Sequence, residues 1–171
     1  MKILILNGSP RAGGNTAALS EAFAKGAREN GHFTEIVNVG KMDITGCKGC
    51  MYCKGENKGV CVQNDHMQKL YPLLKEADMV VFASPVYYFG FTGQMQSMIT
   101  RLYAIAKPAA KKYALILSSA SENVADGIIY QYTSMVNYFG GENLGIRKIH
   151  GKNQTEKSVL ESMEEFGRSI K

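Results

Sequence analysis

No stretch of this 171-residue chain is long and apolar enough to span a bilayer. The one apolar run near its start, Ile3 to Leu6, is broken by Asn7-Gly8-Ser9 before it could form a signal-peptide core. These two absences predict a cytoplasmic protein with no membrane partner. Basic residues outnumber acidic ones, 20 to 15, but they are scattered except for short pairs such as Lys111-Lys112. Without a concentrated basic stripe or a nucleic-acid-binding module, no nucleic-acid partner is expected; the net charge of +5 gives at most mild attraction for anions. The chain also lacks internal repeats, low-complexity linkers, and any Ser-His-Asp or paired-carboxylate constellation. Its three histidines, His32, His66 and His150, lie far apart and read as surface or capping residues. No catalytic side chain is therefore expected.

What is present suits one ordinary globular domain over 1–171, with 45% hydrophobic and 20% charged residues. The ten residues Asn7-Gly8-Ser9-Pro10-Arg11-Ala12-Gly13-Gly14-Asn15-Thr16 join an apolar strand, Lys2 to Leu6, to a helix in which Ala18, Leu19, Ala22 and Phe23 recur at helical spacing. A strand-to-helix turn collects donors for an anion, because the first N–H groups of a helix lack intrahelical partners and the peptide dipoles favour negative charge there. Ser9, Asn15 and Thr16 add neutral donors, and Arg11 adds a guanidinium suited to phosphate. A plain capped turn is the alternative. The lysine of a P-loop is missing, since Gly14-Asn15 follow Gly13, and no G-x-G-x-x-G is present. One phosphate monoester held by hydroxyls and an arginine fits better.

Further segments alternate. Strands are predicted over Phe33–Val39, Asp78–Ala83, Tyr113–Leu117 and Asn143–Ile149, and helices over His66–Lys75 with Asp65 as N-cap, Thr92–Lys107, Val124–Phe139 and Thr155–Ile170. Five strands apolar on both faces and separated by helices imply a parallel sheet covered on each side. In such sheets ligands sit beyond the carboxyl ends of the strands, at a topological switch point. Two further loops meet that condition. Pro85-Val86-Tyr87-Tyr88-Phe89 offers flat aromatic surface for a planar heterocycle, and three rings in a row cannot all point inward. Ser118-Ser119-Ala120-Ser121 supplies hydroxyls and backbone N–H groups, or is a plain turn.

All four cysteines fall in one loop at about 46–62, spaced Cys47-x2-Cys50-x2-Cys53-x7-Cys61. Disulfides are not expected of such a group in a cytosolic chain. The spacing approaches a cluster-ligating ferredoxin run, with a longer last interval and Val62 in place of the usual proline. Zinc ligands and free redox-active or structural thiols are the other readings, although zinc more often takes two separated C-x-x-C pairs.

Gly8-Ser9-Pro10-Arg11 with Asn15-Thr16, then Ser84-Pro85-Val86-Tyr87-Tyr88 followed by Gly93-Gln94-Met95, resembles the NAD(P)H-dependent FMN reductase branch of the flavodoxin-like superfamily. It is especially similar to the iron-sulfur flavoprotein and WrbA-like members. The resemblance implies a three-layer α/β sandwich with a five-stranded parallel sheet in the order 2-1-3-4-5. It further implies that Ser9, Arg11, Asn15 and Thr16 hold the FMN phosphate, that Pro85, Val86, Tyr87, Tyr88 and Phe89 lie along the isoalloxazine, and that Ser119, Ala120 and Ser121 flank its far edge. Where many relatives carry Lys and Asp-Arg in the following helix, this chain has Gln96 and Thr100-Arg101, which puts in doubt helix or subunit contacts that used those charges. NAD(P)H is the implied electron donor, with a quinone, azo or nitro compound or free flavin as acceptor, and a homodimer or homotetramer as the assembly. For the cysteines, the resemblance implies a [4Fe-4S] cluster on Cys47, Cys50, Cys53 and Cys61, and thus an alternative role as an electron carrier from ferredoxin to FMN. A flavin-binding regulatory module without turnover is a third reading.

Overall fold

The computed structural model describes residues 1–55 and 57–171. Glu56, inside the cysteine loop, lies outside the described residues. Five strands, β1 (Lys2–Asn7), β2 (Phe33–Val37), β3 (Met79–Pro85), β4 (Lys112–Ser119) and β5 (Glu142–His150), form one parallel sheet in the order β2-β1-β3-β4-β5. The helices are α1 (Asn15–Glu29), α2 (Met67–Glu76), α3 (Gly93–Arg101), α4 (Asp126–Phe139) and α5 (Lys157–Arg168).

Because side chains alternate across a strand, the apolar runs divide between two cores. Ile3, Ile5, Met79, Val81, Ala114 and Ile116 face α1 and α5, meeting Leu19, Phe23, Met163 and Phe166. Leu4, Leu6, Val80, Phe82, Leu115 and Leu117 face the other way, meeting Leu70 and Leu74 of α2, Met95 and Met98 of α3, and Ile128 and Tyr132 of α4. Each fully buried Val, Leu, Ile, Phe or Met side chain among them contributes roughly 1.5–3 kcal/mol from water exclusion. The result is the flavodoxin-like three-layer sandwich.

Most boundaries lie within two residues of the sequence expectation, and two of the differences shape the loops. The second strand stops at Val37, after which Val39–Lys41 tightens into a 3₁₀ turn that packs Gly40 against the first loop. The third helix ends at Arg101 rather than Lys107, and continues only as a 3₁₀ turn over Leu102–Ala104, with Ala106 at φ +64°. Pro72 sits inside α2 without ending it.

Candidate functional site

The switch point of the 2-1-3-4-5 order falls between β1 and β3, and the loops after β1, β3 and β4 gather at that end of the sheet. The first loop is built from its backbone outward. Gly8 donates its N–H to the Ala83 carbonyl at 2.8 Å, and its own carbonyl accepts the Thr92 hydroxyl at 2.8 Å. Thr92 also accepts the Met95 N–H, so one side chain caps α3 and anchors the loop. Asn7, buried at the end of β1, accepts the Ser9 N–H and donates to Asn38, while Ser9 Oγ accepts the Arg11 N–H. A Cβ on Gly40 would lie 2.2 Å from the Ser9 carbonyl oxygen, and one on Gly8 would lie 2.9 Å from the Met95 side chain. Only glycine permits the approach at position 40, where the obstacle is backbone.

Gly14 stands at the N-cap of α1 and offers no side chain to it. Among the described residues nothing accepts from the N–H groups of Asn15 and Thr16, which leaves donors at the positive end of a 15-residue helix. Thr16 Oγ1 lies 2.7 Å from Ser118 Oγ, a bond between residues 102 apart. One hydroxyl proton makes that bond, so the pair retains the other proton for a further acceptor. Arg11 and Asn15 are exposed, and the Arg11 guanidinium has no protein partner among the described residues.

Beyond β3, Val86 donates to the Ser118 carbonyl, and Tyr87 and Gly90 exchange two backbone bonds of 3.0 Å across a two-residue turn. The turn residues Tyr88 and Phe89 hold φ values of +49° and +64°, in the left-handed region that bulky residues avoid. This conformation turns the rings outward: Tyr88 is 98% exposed and Phe89 57%. A Cβ on Gly127 of α4 would lie 2.8 Å from the Phe89 carbonyl, so α4 backs the turn. In the third loop the Ser119 hydroxyl bonds the Ser121 carbonyl, and the Ser119 carbonyl accepts from Gly151 and Gln154. Ala120 and Ser121 are exposed.

The cysteine loop lies apart from these three, against the far end of α3. Cys47 and Cys50 are exposed and Cys53 and Cys61 half-buried, and all four are free thiols lining one cavity with Arg101 and Tyr103. Among the described residues no three histidines, cysteines or carboxylates converge closely enough to hold a metal ion. The donor set is that of a soft metal or iron–sulfur centre, with four thiols around one space and a buried cation beside them. Residues 47, 50, 53 and 61 supply that ligand type, but as placed they do not form such a centre.

Arg101 was not among the residues the sequence singled out for a site. It is 1% exposed and ties both ends of the cysteine loop together. Its Nη1 donates to the Thr45 carbonyl at 2.7 Å and Asp65 Oδ2 at 2.6 Å, and its Nη2 donates to the Gln63 carbonyl at 3.3 Å and Asp65 Oδ1 at 3.2 Å. The N-cap position of α2 falls on His66, one residue later than expected, and Asp65 supports the helix start from outside by accepting the Met67 N–H. Burial tends to raise the Asp65 carboxyl, but the Arg101 hydrogen bond, the Thr45 and Met67 N–H groups and the Arg101 charge together hold it below 3.8. Burial lifts the Tyr71 phenol, which donates to the Arg101 carbonyl, to about 12. No local motif announces Arg101, because its partners are carbonyls and a carboxylate far away in the chain.

The sheet order and the three loops at its switch point define a flavodoxin-like α/β protein. The chain belongs to the NADPH-dependent FMN reductase family, whose model matches residues 1–145. An iron-sulfur flavoprotein of Archaeoglobus fulgidus is 40% identical over 102 residues, which is 60% of this chain and 46% of that protein. Another, of Methanocaldococcus jannaschii, is 29% identical over 150 residues, 88% of this chain and 69% of that one. The chain spans about half the length of the curated relatives it matches, 46% to 51% for three of them. Among solved structures, an NAD(P)H:quinone oxidoreductase from Methanothermobacter marburgensis superposes with a TM-score of 0.78 at 16% identity, covering 100% of this chain and 99% of that one. The azoreductase AzrA gives 0.74 at 17% identity, covering 99% of this chain and 100% of its own. These structures share the fold. No helix among the described residues is long and apolar enough to cross a membrane.

Proposed function

We propose that the chain is a cytoplasmic FMN-dependent oxidoreductase that takes electrons from NAD(P)H and passes them to a quinone, an azo or nitro compound, or free flavin. The observation that carries this reading is the first loop: N–H groups at the start of α1 and an Arg11 guanidinium that have no partner among the described residues, with a spare hydroxyl proton at Thr16–Ser118, surround a backbone that Gly8 and Gly40 hold in place. Ser9, Arg11, Asn15 and Thr16 bind the phosphate of FMN there. Pro85, Val86, Tyr87, Tyr88 and Phe89 bound the ring system, and Ser119, Ala120 and Ser121 line its far edge through backbone groups, since the Ser119 hydroxyl is already engaged. FMN, when bound, accepts a hydride from a nicotinamide and returns electrons singly or in pairs. The protein's part is to bind, orient and shield, and no side chain acts as nucleophile or general acid. The outward rings of Tyr88 and Phe89, with Tyr130 and Tyr138 exposed on α4, support a dimer or tetramer that covers the flavin.

A second reading draws on the cysteine cavity and the names of the relatives: Cys47, Cys50, Cys53 and Cys61 would hold a [4Fe-4S] centre, which would supply one-electron transfer between a ferredoxin and FMN. Anaerobic mixing of the FMN-loaded protein with each donor separates the readings. Bleaching of the flavin by NADPH or NADH is the expected result. Bleaching only by reduced ferredoxin, in protein containing iron and sulfide, supports the relay. A flavin reduced by neither donor would leave a regulatory module and contradict both.

A further inference from the structure

Two separate contacts dock the end of β2 onto the first loop. Asn7 donates from Nδ2 to Asn38 Oδ1 at 3.0 Å, and Gly40 lies so close to the Ser9 carbonyl that a Cβ there would stand 2.2 Å away. They fix the turn Val39–Lys41 beside the loop, and Lys41 lines one cavity of about 240 Å³ with Arg11. Asn7, Asn38, Ile36 of β2 and Glu21 of α1 also line it. Ser9, Asn15 and Thr16, assigned above to the FMN phosphate, do not; of that group Arg11 alone stands at both places. Among the described residues no carboxylate pairs with Arg11 or Lys41, and Glu21 lies instead 4.0 Å from Arg28 of its own helix. Two cations at one cavity without a counter-charge repel each other and raise the local concentration of anions. The other walls suit a nucleoside, with apolar surface at Ile36 for a base and an acceptor at Glu21 for ribose hydroxyls. In dinucleotide-binding α/β sheets the side chain after the second strand reads the adenosine ribose, an acidic one taking its hydroxyl and a basic one a phosphate.

We propose that this cavity is a subsite for a second phosphate, carried on the adenosine end of a dinucleotide, and that Lys41 selects it. The phosphorylated nicotinamide donor and flavin adenine dinucleotide share this chemistry. The inference rests on the function proposed above for the presence of such a dinucleotide, and not on the assignment of the FMN phosphate. Arg11 is common to both phosphates, so Lys41 is the cation that belongs to the cavity itself.

The test compares wild type with Lys41→Ala and Lys41→Arg by calorimetric titration. Lys41 is exposed and its side chain makes no bond among the described residues, so both variants are expected to keep the melting temperature and FMN affinity of wild type. With FMN present, adenosine 2′,5′-bisphosphate should bind wild type roughly 10-fold more tightly than adenosine 5′-monophosphate, the worth of one charge-assisted contact. Lys41→Ala should abolish that preference and Lys41→Arg should retain it, which identifies the nicotinamide donor as the source. With FMN removed, flavin adenine dinucleotide binding more tightly than FMN, an advantage lost in Lys41→Ala, identifies the flavin dinucleotide. Absence of both preferences overturns the proposal, and so does either preference surviving Lys41→Ala. If Lys41→Ala does not fold, the amide resonances of Lys41 and Asn38 in ¹⁵N-labelled wild type decide. They should move on addition of whichever adenosine compound binds preferentially, and unmoved resonances overturn the proposal. Wild type that takes up FMN but shows neither preference loses this subsite and keeps the flavin reading. A Lys41-dependent preference for the bisphosphate without FMN uptake does the reverse.

Discussion

The Arg11 guanidinium makes no bond to the described protein, so its removal bears on what the loop holds and not on the loop itself. Arg11→Ala is expected to weaken FMN binding about 10- to 100-fold, the worth of one charge-assisted hydrogen bond set, with the melting temperature of the FMN-free protein unchanged. Fluorescence titration checks it, and an unaltered affinity removes Arg11 from the phosphate site. Gly40 is the contrasting case. A methyl group there meets the Ser9 carbonyl at 2.2 Å, a backbone atom that can yield only by shifting the loop. Gly40→Ala should therefore lower both FMN affinity and stability, the latter by about 1–3 kcal/mol or roughly 2–12 °C in melting temperature. Calorimetry of the FMN-free protein reads the stability part directly. Ser9, Arg11, Asn15 and Thr16 were legible as a group because they are neighbours in the chain. Gly40, Thr92 and Ser118 come to the same loop only through the order of the strands, which no local pattern encodes.

Among the elements, α1 and α5 cross at two glycines. A Cβ on Gly26 would lie 1.9 Å from the Glu164 carbonyl, and one on Gly167 would lie 2.1 Å from that of Phe23, so each helix backbone rests on the other. Gly26→Ala or Gly167→Ala should separate the helices at a cost of about 1–3 kcal/mol, measured by denaturant titration, while leaving the switch-point loops in place. At the other core, α3 reaches from the Thr92 cap beside Gly8 to Arg101 beneath the cysteine loop, a helical span of about 13 Å. The Arg101–Asp65 pair makes that end sensitive to acid. Because the Asp65 carboxyl lies below 3.8 in the folded chain, its stabilisation is fully present above that value and is lost as pH falls through the lower, folded one. Asp65→Asn should cost about 3 kcal/mol near neutral pH by leaving the buried guanidinium uncompensated, and should flatten the dependence of stability below about pH 4. Equal slopes in both proteins over that range would contradict this assignment. Element type was readable from periodicity throughout. The early end of α3 was not, because tertiary bonds of the Arg101 side chain, and no proline or glycine, mark it.

For the whole molecule, parallel strands buried on both faces read as unbroken apolar runs, and five of them separated by helices leave few ways to fold. That is why the covered parallel sheet agrees with the expectation, while the 2-1-3-4-5 order came only from the resemblance of the loop motifs; the cavity around the cysteines does not follow from their spacing, since C-x2-C-x2-C shows that thiols are near one another in the chain but not that they converge. The central claim is that the switch-point loops bind FMN. Equilibrium titration of the purified, ligand-stripped protein with FMN tests it most directly, with riboflavin as the control that lacks the phosphate. The account predicts one FMN per chain, and much weaker binding of riboflavin because the donors at Ser9, Arg11, Asn15 and Thr16 go unused. Failure to take up FMN, or equal affinity for riboflavin, would contradict it.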